Sequence, residues 1–442
     1  MRNDKTTLKD LSIITSDGST GVFDLIDHTT THAGHDMLYK HIMHPPDTYE
    51  KLKEVQDTVR FWAEHPDLWP TIVLNGTIVM LDKFFESADN LTTPPGGFNL
   101  LLSSFFQKLL NKREYFFIQF SLSHLSDFLK GCVQLVEIAD KHNVPPLLER
   151  ELKLIKEELQ HRLTAPLTSI TKQTRYVDLV QLNYKTRREM KGVVYRLIDS
   201  YARLDAWQSM AKATNAHGWV FPEILPATPI CMETTGLNHP LLQKPVAYDI
   251  TFDNKRNFLL LTGANMSGKT TFMRALGVGA LLAHLGMGVP AKSLRISFLQ
   301  GIITNMHVED NILKGESYFF AEVQRMKQTA EKLLQHQPHL VLMDELFKGT
   351  NVHDAYECSK AVIEGLLNHP GHLMILSTHL YEVVQQFRAS NEILFYYFVT
   401  TMSENGGYKF TYELKPGISD DRIGYRILLK EGVIDLLSKN VP

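Results

Sequence analysis

At 442 residues the chain is long enough for about three domains of ~150 residues each, and its ordinary composition with a net charge of −3 excludes a protein whose overall charge advertises nucleic acid. A nucleic-acid surface, if there is one, has to be a local patch. Three cysteines, Cys132, Cys231 and Cys358, stand far apart with no CxxC pair, which argues against a disulfide or zinc framework. The N-terminus leads into no apolar signal-like run. The most apolar stretch, Ala275 to Ala291, carries His284 and four glycines and is too short and broken to cross a bilayer. A soluble, cytoplasmic protein with no membrane partner is expected.

Up to about residue 215 the patterning predicts helices. Leu52, Val55, Val59 and Phe61-Trp62 recur near a 3.6-residue period, and so do Leu147, Leu152, Ile155 and Leu159. Glu149 to Arg162 is charged on one side, as a solvated helix would be. A long helical pattern runs from about Tyr176 to Ala213, with Tyr195, Ile198, Tyr201 and Leu204 in register. Breaks fall at Pro94-Pro95-Gly96-Gly97, at Pro145-Pro146 and near Pro166.

After Pro222 and Pro226 the texture changes. Short apolar runs at Phe258–Leu261, Leu340–Met343 and Leu373–Leu376 alternate with helical patterns, the signature of a mostly parallel sheet covered by helices. The first run feeds Gly263-Ala264-Asn265-Met266-Ser267-Gly268-Lys269-Thr270-Thr271, which satisfies GxxxxGK[ST] and opens a helical pattern of Phe272, Met273, Ala275 and Leu276. In such a loop, glycines let successive N–H groups face phosphates and the helix N-terminus adds positive potential. The lysine reaches the β- and γ-phosphates, and the Thr270 hydroxyl suits Mg²⁺. A nucleoside triphosphate, ATP with Mg²⁺, is the expected ligand.

His339 to Glu345 reads as a buried strand ending in two carboxylates. Asp344 is placed to hold Mg²⁺ and Glu345 to orient or deprotonate a water. The following strand ends in Ser377-Thr378-His379, where His379 could stabilise charge on the γ-phosphate. Upstream, Gly315-Glu316-Ser317-Tyr318-Phe319 opens an amphipathic helix; a helix cap and an anion site are both open readings. Near the end, Ile393–Val399 and Tyr408–Leu414 flank Glu404-Asn405-Gly406-Gly407, a hairpin signal. The aromatics at Phe395 to Phe398 are read as strand packing in preference to base stacking.

Taken together, these segments resemble the MutS family of DNA mismatch-repair ATPases. The P-loop with its Asn265-Met266 pair is similar to the family's, and so are Val289-Pro290-Ala291, Asp310-Asn311, Gly315-Glu316-Ser317 and Glu322. The match continues through Asp344-Glu345 with Gly349, Thr350 and Asp354, and through Ser377-Thr378-His379. Gly236-Leu237-Asn238-His239-Pro240 resembles the opening of the family's ATPase domain, which implies His239 near the adenine. Lys415-Pro416-Gly417-Ile418-Ser419 and Gly424 resemble its close. At the N-terminus, residues 21–34 resemble the start of the family's core domain, and Leu204-Asp205-Ala206 its returning lever arm.

Some features depart from the family. Its mismatch-binding and connector domains would precede residue 20, where this sequence leaves no room, so a short form lacking them is expected. Phe84-Phe85-Glu86 lies in the wrong context for a mismatch wedge. Phe347-Lys348 replaces Gly-Arg, and Ala264 and Ser267 replace a proline and a glycine.

The resemblance therefore implies a helical N-terminal core and lever region followed by an α/β P-loop ATPase of the ABC type. Its divisions would be 1–100 (core-like), 101–222 (lever helices) and 223–442 (ATPase). Gly315 and Ser317 would complete a partner's ATP site, which implies a homodimer and an ATP switch acting on mismatched, branched or altered double-stranded DNA in repair or recombination, with a downstream repair protein. Lys185, Arg187, Arg188 and Lys191 are the candidate DNA contacts, and a solvated helix face is the competing reading. A nucleotide-switched protein-interaction module without DNA contact is the alternative. A P-loop small-molecule kinase is disfavoured by the Asp344-Glu345 pair.

Overall fold

The computed structural model describes residues 4–15, 18–87, 112–171, 173–306, 318–335, 337–402, 408–419 and 433–438. Its contacts divide the chain into two units. One comprises Met1–Leu25, Met43–Lys53 and His217–Pro442, the other Ile26–Ile42 and Glu54–Ala216.

The second unit is built from helices, with Lys112–Lys141 at its centre, packed on Asn75–Glu86, Pro146–Leu159, Thr164–Thr168 and Tyr176–Glu189. Leu122, Leu125, Phe128 and Leu129 are buried along that helix, so its apolar stripe is shared among several partners. The expected long helix from Tyr176 is two, Tyr176–Glu189 and Lys191–Ala216. The interruption is one residue wide: Met190 is fully buried with φ −105°, and Gly192 just beyond is a weak helix former. Phe84 and Phe85 both lie in the core, at 5.0 Å and edge-on to each other, which leaves neither as a projecting wedge.

One buried carboxylate ties this unit's first segment to its last helix. Asp205, 0% exposed, accepts hydrogen bonds from Thr30 N (2.9 Å), Thr31 N (2.9 Å) and Thr31 Oγ1 (2.7 Å). Thr31 Oγ1 in turn accepts from Gly34 N at 3.0 Å, closing the first turn of the helix His32–Met43. Burial pushes the Asp205 carboxyl upward, and the amides of Thr30 and Thr31 pull it down. A Cβ on Gly34 would stand 2.2 Å from Asp205 Oδ2, so glycine is required at that position by space alone.

The first unit contains two sheets. The larger has the order β10-β9-β4-β8-β7-β6, made of β4 (Phe258–Thr262), β6 (Gly301–Asn305), β7 (His339–Asp344), β8 (Leu373–Ser377), β9 (Ile393–Met402) and β10 (Tyr408–Pro416). All its pairings are parallel except β9 with β10. Buried on both faces, β4, β7 and β8 read as continuous apolar runs, as parallel strands covered by helices do. The smaller sheet, in the order β1-β5-β2-β3, contains β1 (Glu223–Leu225), β2 (Met232–Leu237), β3 (Tyr248–Phe252) and β5 (Ser293–Ser297). The helix Lys269–Leu285 is buried along nearly its whole length; a Cβ on its Gly277 would overlap Leu11 and Leu342.

Leu11 belongs to the N-terminal segment, whose helix Lys5–Asp10 packs on β6. Asp10 accepts from Thr304 Oγ1 (2.7 Å) and stands 3.3 Å from the Arg325 guanidinium. Deeper in the unit, His284 is fully buried: its Nδ1 lies 2.7 Å from Ala280 O and its Nε2 accepts from Leu299 N at 2.7 Å. Burial holds its pKa at about 4, so it is neutral in the folded state. No helix among the described residues is long and apolar enough to cross a membrane.

Two outcomes follow from these buried groups. Asp205→Ala orphans three donors and should cost about 3 kcal/mol in a denaturant unfolding experiment. His284, neutral when folded and protonated below about pH 6.5 when unfolded, contributes its full stability above that pH and loses it as the pH falls towards 4. His284→Gln should therefore show a shallower fall of melting temperature across that window than the parent chain.

Candidate nucleotide site

The site forms where β4, β7 and β8 end side by side. β4 is buried from Phe258 to Thr262, which fixes the point from which the loop departs. Gly263 (φ +143°), Met266 (φ +66°) and Gly268 (φ +110°) curl the chain into the helix that begins at Lys269. Met266 is the only one of the three with a side chain, which is 82% exposed; its left-handed backbone costs about 1–2 kcal/mol. The loop rests on an aromatic cluster of Tyr248, Phe272 and Phe398, with ring centroids 5.1 to 6.1 Å apart. Phe398 is thus core, while Phe395, Tyr396 and Tyr397 are half-buried.

Lys269 is 5% exposed, and its Nζ donates to Gly263 O (3.0 Å) and Ala264 O (3.1 Å). Burial pulls its pKa down, opposed by the Glu345 and Asp344 charges. Thr270 Oγ1 donates to Asp344 Oδ2 at 2.6 Å, and Ser377 Oγ donates to Asp344 Oδ1. Both oxygens of Asp344 are therefore held, one from the loop helix and one from the neighbouring strand. Thr270 and Asp344 together present the hard oxygen donors that Mg²⁺ takes. Ser267 Oγ, buried in the loop, has no hydrogen-bond partner among the described residues, a polar atom suited to a phosphate oxygen.

Glu345 follows β7 with φ +54°, its N–H bonded to Ser377 O at 3.0 Å. Two ammonium groups and an imidazole flank its carboxylate: Lys348 Nζ at 3.1 Å, Lys269 Nζ at 3.6 Å and His379 Nδ1 at 3.6 Å. Its pKa is held at about 2, most by His379, against burial and with help from Lys348 and Lys269. Lys348 makes the shortest of the three contacts. Burial lowers the Lys348 ammonium's pKa, but the charge and hydrogen bond of Glu345 and the Asp344 charge together outweigh it, and the net shift is upward.

His239 follows β2, buried with its Nδ1 accepting from Leu241 N at 3.4 Å. Burial and the Arg274 charge lower its pKa to about 4, which makes it a neutral ring on the flank of the loop helix. Gly315 and Ser317 lie outside the described residues, as do Asp310-Asn311 and Gly424. Two contributors had no local signal in the sequence. Lys348 was visible only as a departure from a familiar pair. Tyr412 sits at a β-bulge with φ +57°, and a Cβ on Gly268 would be 3.3 Å from its ring.

The basic stretch is only partly at the surface. Lys185, Arg188 and Lys191 are exposed, Arg188 stacking on Tyr184 at 3.7 Å. Arg187 turns inward instead: it donates to Ser87 O (2.9 Å), Ser87 Oγ (3.0 Å) and Asn183 Oδ1 (3.0 Å), and covers the Phe84 ring. Those bonds remove Arg187 from any exposed basic face. Arg196 pairs with Glu158.

Comparison with known proteins agrees with this geometry. Residues 259–435 match the family model for MutS domain V. The chain is similar to the DNA mismatch repair protein MutS of Lawsonia intracellularis, 31% identical over 292 residues, covering 63% of this chain and 32% of that protein. The MutS of Nitratidesulfovibrio vulgaris is 29% identical over 286 residues, with 63% and 31% covered. That of Lactococcus lactis is 28% identical over 242 residues, with 53% and 28% covered. The chain thus spans about a third of the length of the curated relatives it matches.

Proposed function

We propose, from the premise that this chain belongs to the MutS family through its C-terminal ATPase part, that it is a DNA-binding protein that hydrolyses ATP to ADP and phosphate. The observation that carries the reading is the convergence of Lys269, Thr270, Asp344, Glu345, Ser377 and His379 at three adjacent strand ends. In this reading the backbone from Gly263 to Thr271 cradles the phosphates and Lys269 pairs with their charge. Thr270 and Asp344 would hold Mg²⁺, which would supply charge neutralisation to the phosphates. Glu345 accepts the proton of the attacking water, and His379 stabilises charge developing beside it. His239 flanks the base, and Tyr412, beside Gly268, offers it an aromatic face.

The mode of action proposed is a homodimeric ATP switch, with Gly315 and Ser317 of one subunit completing the other's site. Its substrate is mismatched, branched or otherwise altered double-stranded DNA, in repair or recombination, with a downstream repair protein as further partner. The division into a helical part and an ATPase part belongs to the same proposal, and a cytoplasmic setting suits a DNA-acting ATPase. The inward turn of Arg187 and the pairing of Arg196 thin the basic face, and this favours a second reading, a nucleotide-switched module that meets a protein and not DNA.

Two measurements test these readings. Glu345→Gln should bind ATP as the parent does while turnover falls on the order of a hundredfold or more; retained turnover removes Glu345 from the chemistry. Steady-state ATPase activity should also respond to one of homoduplex, mismatched duplex or a four-way junction, with the response fading as salt rises. An active ATPase indifferent to all three selects the protein-partner reading.

A further inference from the structure

The turn that carries Glu345 is clamped from outside the strand ends. Glu322, 9% exposed on the helix Tyr318–Leu333, accepts from Lys348 N with Oε1 and from Gly349 N with Oε2, both at 3.2 Å. A carboxylate bridging two successive amides fixes the orientation of both peptide units. Beside it, Phe347 is 4% exposed and its ring lies 5.9 Å from that of Phe319. A Cβ on Gly349 would stand 2.7 Å from both Phe319 N and Tyr318 Cδ1, so the turn lies directly on the first turn of that helix.

The clamp has something to hold. Glu345 (φ +54°) and Phe347 (φ +60°) are both non-glycine residues in the left-handed region, two residues apart. Such a pair relaxes unless its surroundings over-determine it. β7 and β8 secure only the Glu345 end, through its N–H on Ser377 O. The other end has Glu322 and the Phe319 contact.

We propose that Glu322 is a positioning residue for Glu345, holding the Glu345–Gly349 turn in the conformation that places the Glu345 carboxylate beside Lys269 and His379. Glu322 touches no reacting group in this arrangement; it acts through the backbone it bonds. The inference rests on the hydrolytic reading given above and adds a residue to it.

The test is Mg-ATP turnover and fluorescent-ATP binding by the full chain. Glu322→Ala should lower kcat on the order of tenfold to a hundredfold while the ATP Kd stays unchanged, because the phosphate loop is not part of the clamp. Glu322→Gln should recover part of the rate, since its amide oxygen still accepts one N–H. Adding Glu322→Ala to Glu345→Gln should cost nothing further, as expected of two residues acting through one carboxylate. Gly349→Ala, whose Cβ presses on Phe319 and Tyr318 while the Glu322 side chain is kept, should show the same split and serves if Glu322→Ala does not fold. Parent-level kcat in Glu322→Ala or Gly349→Ala, or joint loss of kcat and ATP binding, overturns the inference and leaves the ATPase reading standing. A parent chain that binds ATP without hydrolysing it overturns both.

Discussion

The carboxylate of Asp344 accepts one hydrogen bond from the Thr270 hydroxyl and another from that of Ser377, and the candidate site depends on that pair of hydrogen bonds. It joins the start of the loop helix to the ends of two parallel strands. Neither hydroxyl could reach it unless β4, β8 and β7 lay side by side in register, with Leu261 opposite Ser377 and Ser377 opposite Asp344. The apolar strands are thus more than a core. Their buried faces leave no freedom to slip, because a shift of one residue would carry each strand's polar terminus away from the others.

Around that fixed point the structure tolerates strain. Met266, Glu345 and Phe347 all take left-handed backbone, and Tyr412 does so at its bulge. Residues of this kind persist only where neighbours over-determine them, and here each has a partner element. The loop rests on Phe398 and Phe272, while the turn after β7 rests on Phe319 and Glu322. The electrostatics match the packing. One carboxylate, Glu345, meets two ammonium groups and the His379 ring, so its charge is stabilised against burial beside the strand ends.

The helical unit uses the same device at a different place. Asp205 is buried, and what makes that tolerable is a set of donors from Thr30 and Thr31 at the start of a helix, where negative charge is favoured. Its geometry explains why residues so distant in sequence carry one structural signal: the threonines need the carboxylate, and Gly34 needs to lack a side chain for the carboxylate to approach.

Local sequence determined the elements whose cause is local. The phosphate loop, the apolar strands β4, β7 and β8, the hairpin of β9 and β10, and the helix from Pro146 follow from glycines, apolar runs and a proline at the first helical position. Residue type and order also singled out Lys269, Thr270, Asp344, Glu345 and His379, since each follows a strand or opens a helix. Tertiary structure alone decided the rest. The helix Lys5–Asp10 joins the first unit because Leu11 meets Gly277 and Asp10 meets Thr304, contacts between residues far apart in the chain, of which the sequence around residue 10 carries no trace. The smaller sheet pairs β1 with β5 across the intervening β2, β3, β4 and the helix Lys269–Leu285. Arg187 looked like its neighbours Lys185 and Arg188, and only the position of Ser87 and Phe84 turned it inward. Lys348 and Glu322 acquired partners in the same way. A periodicity or a motif is written in neighbouring residues, whereas a side chain's direction and partner are set by what the fold brings against it.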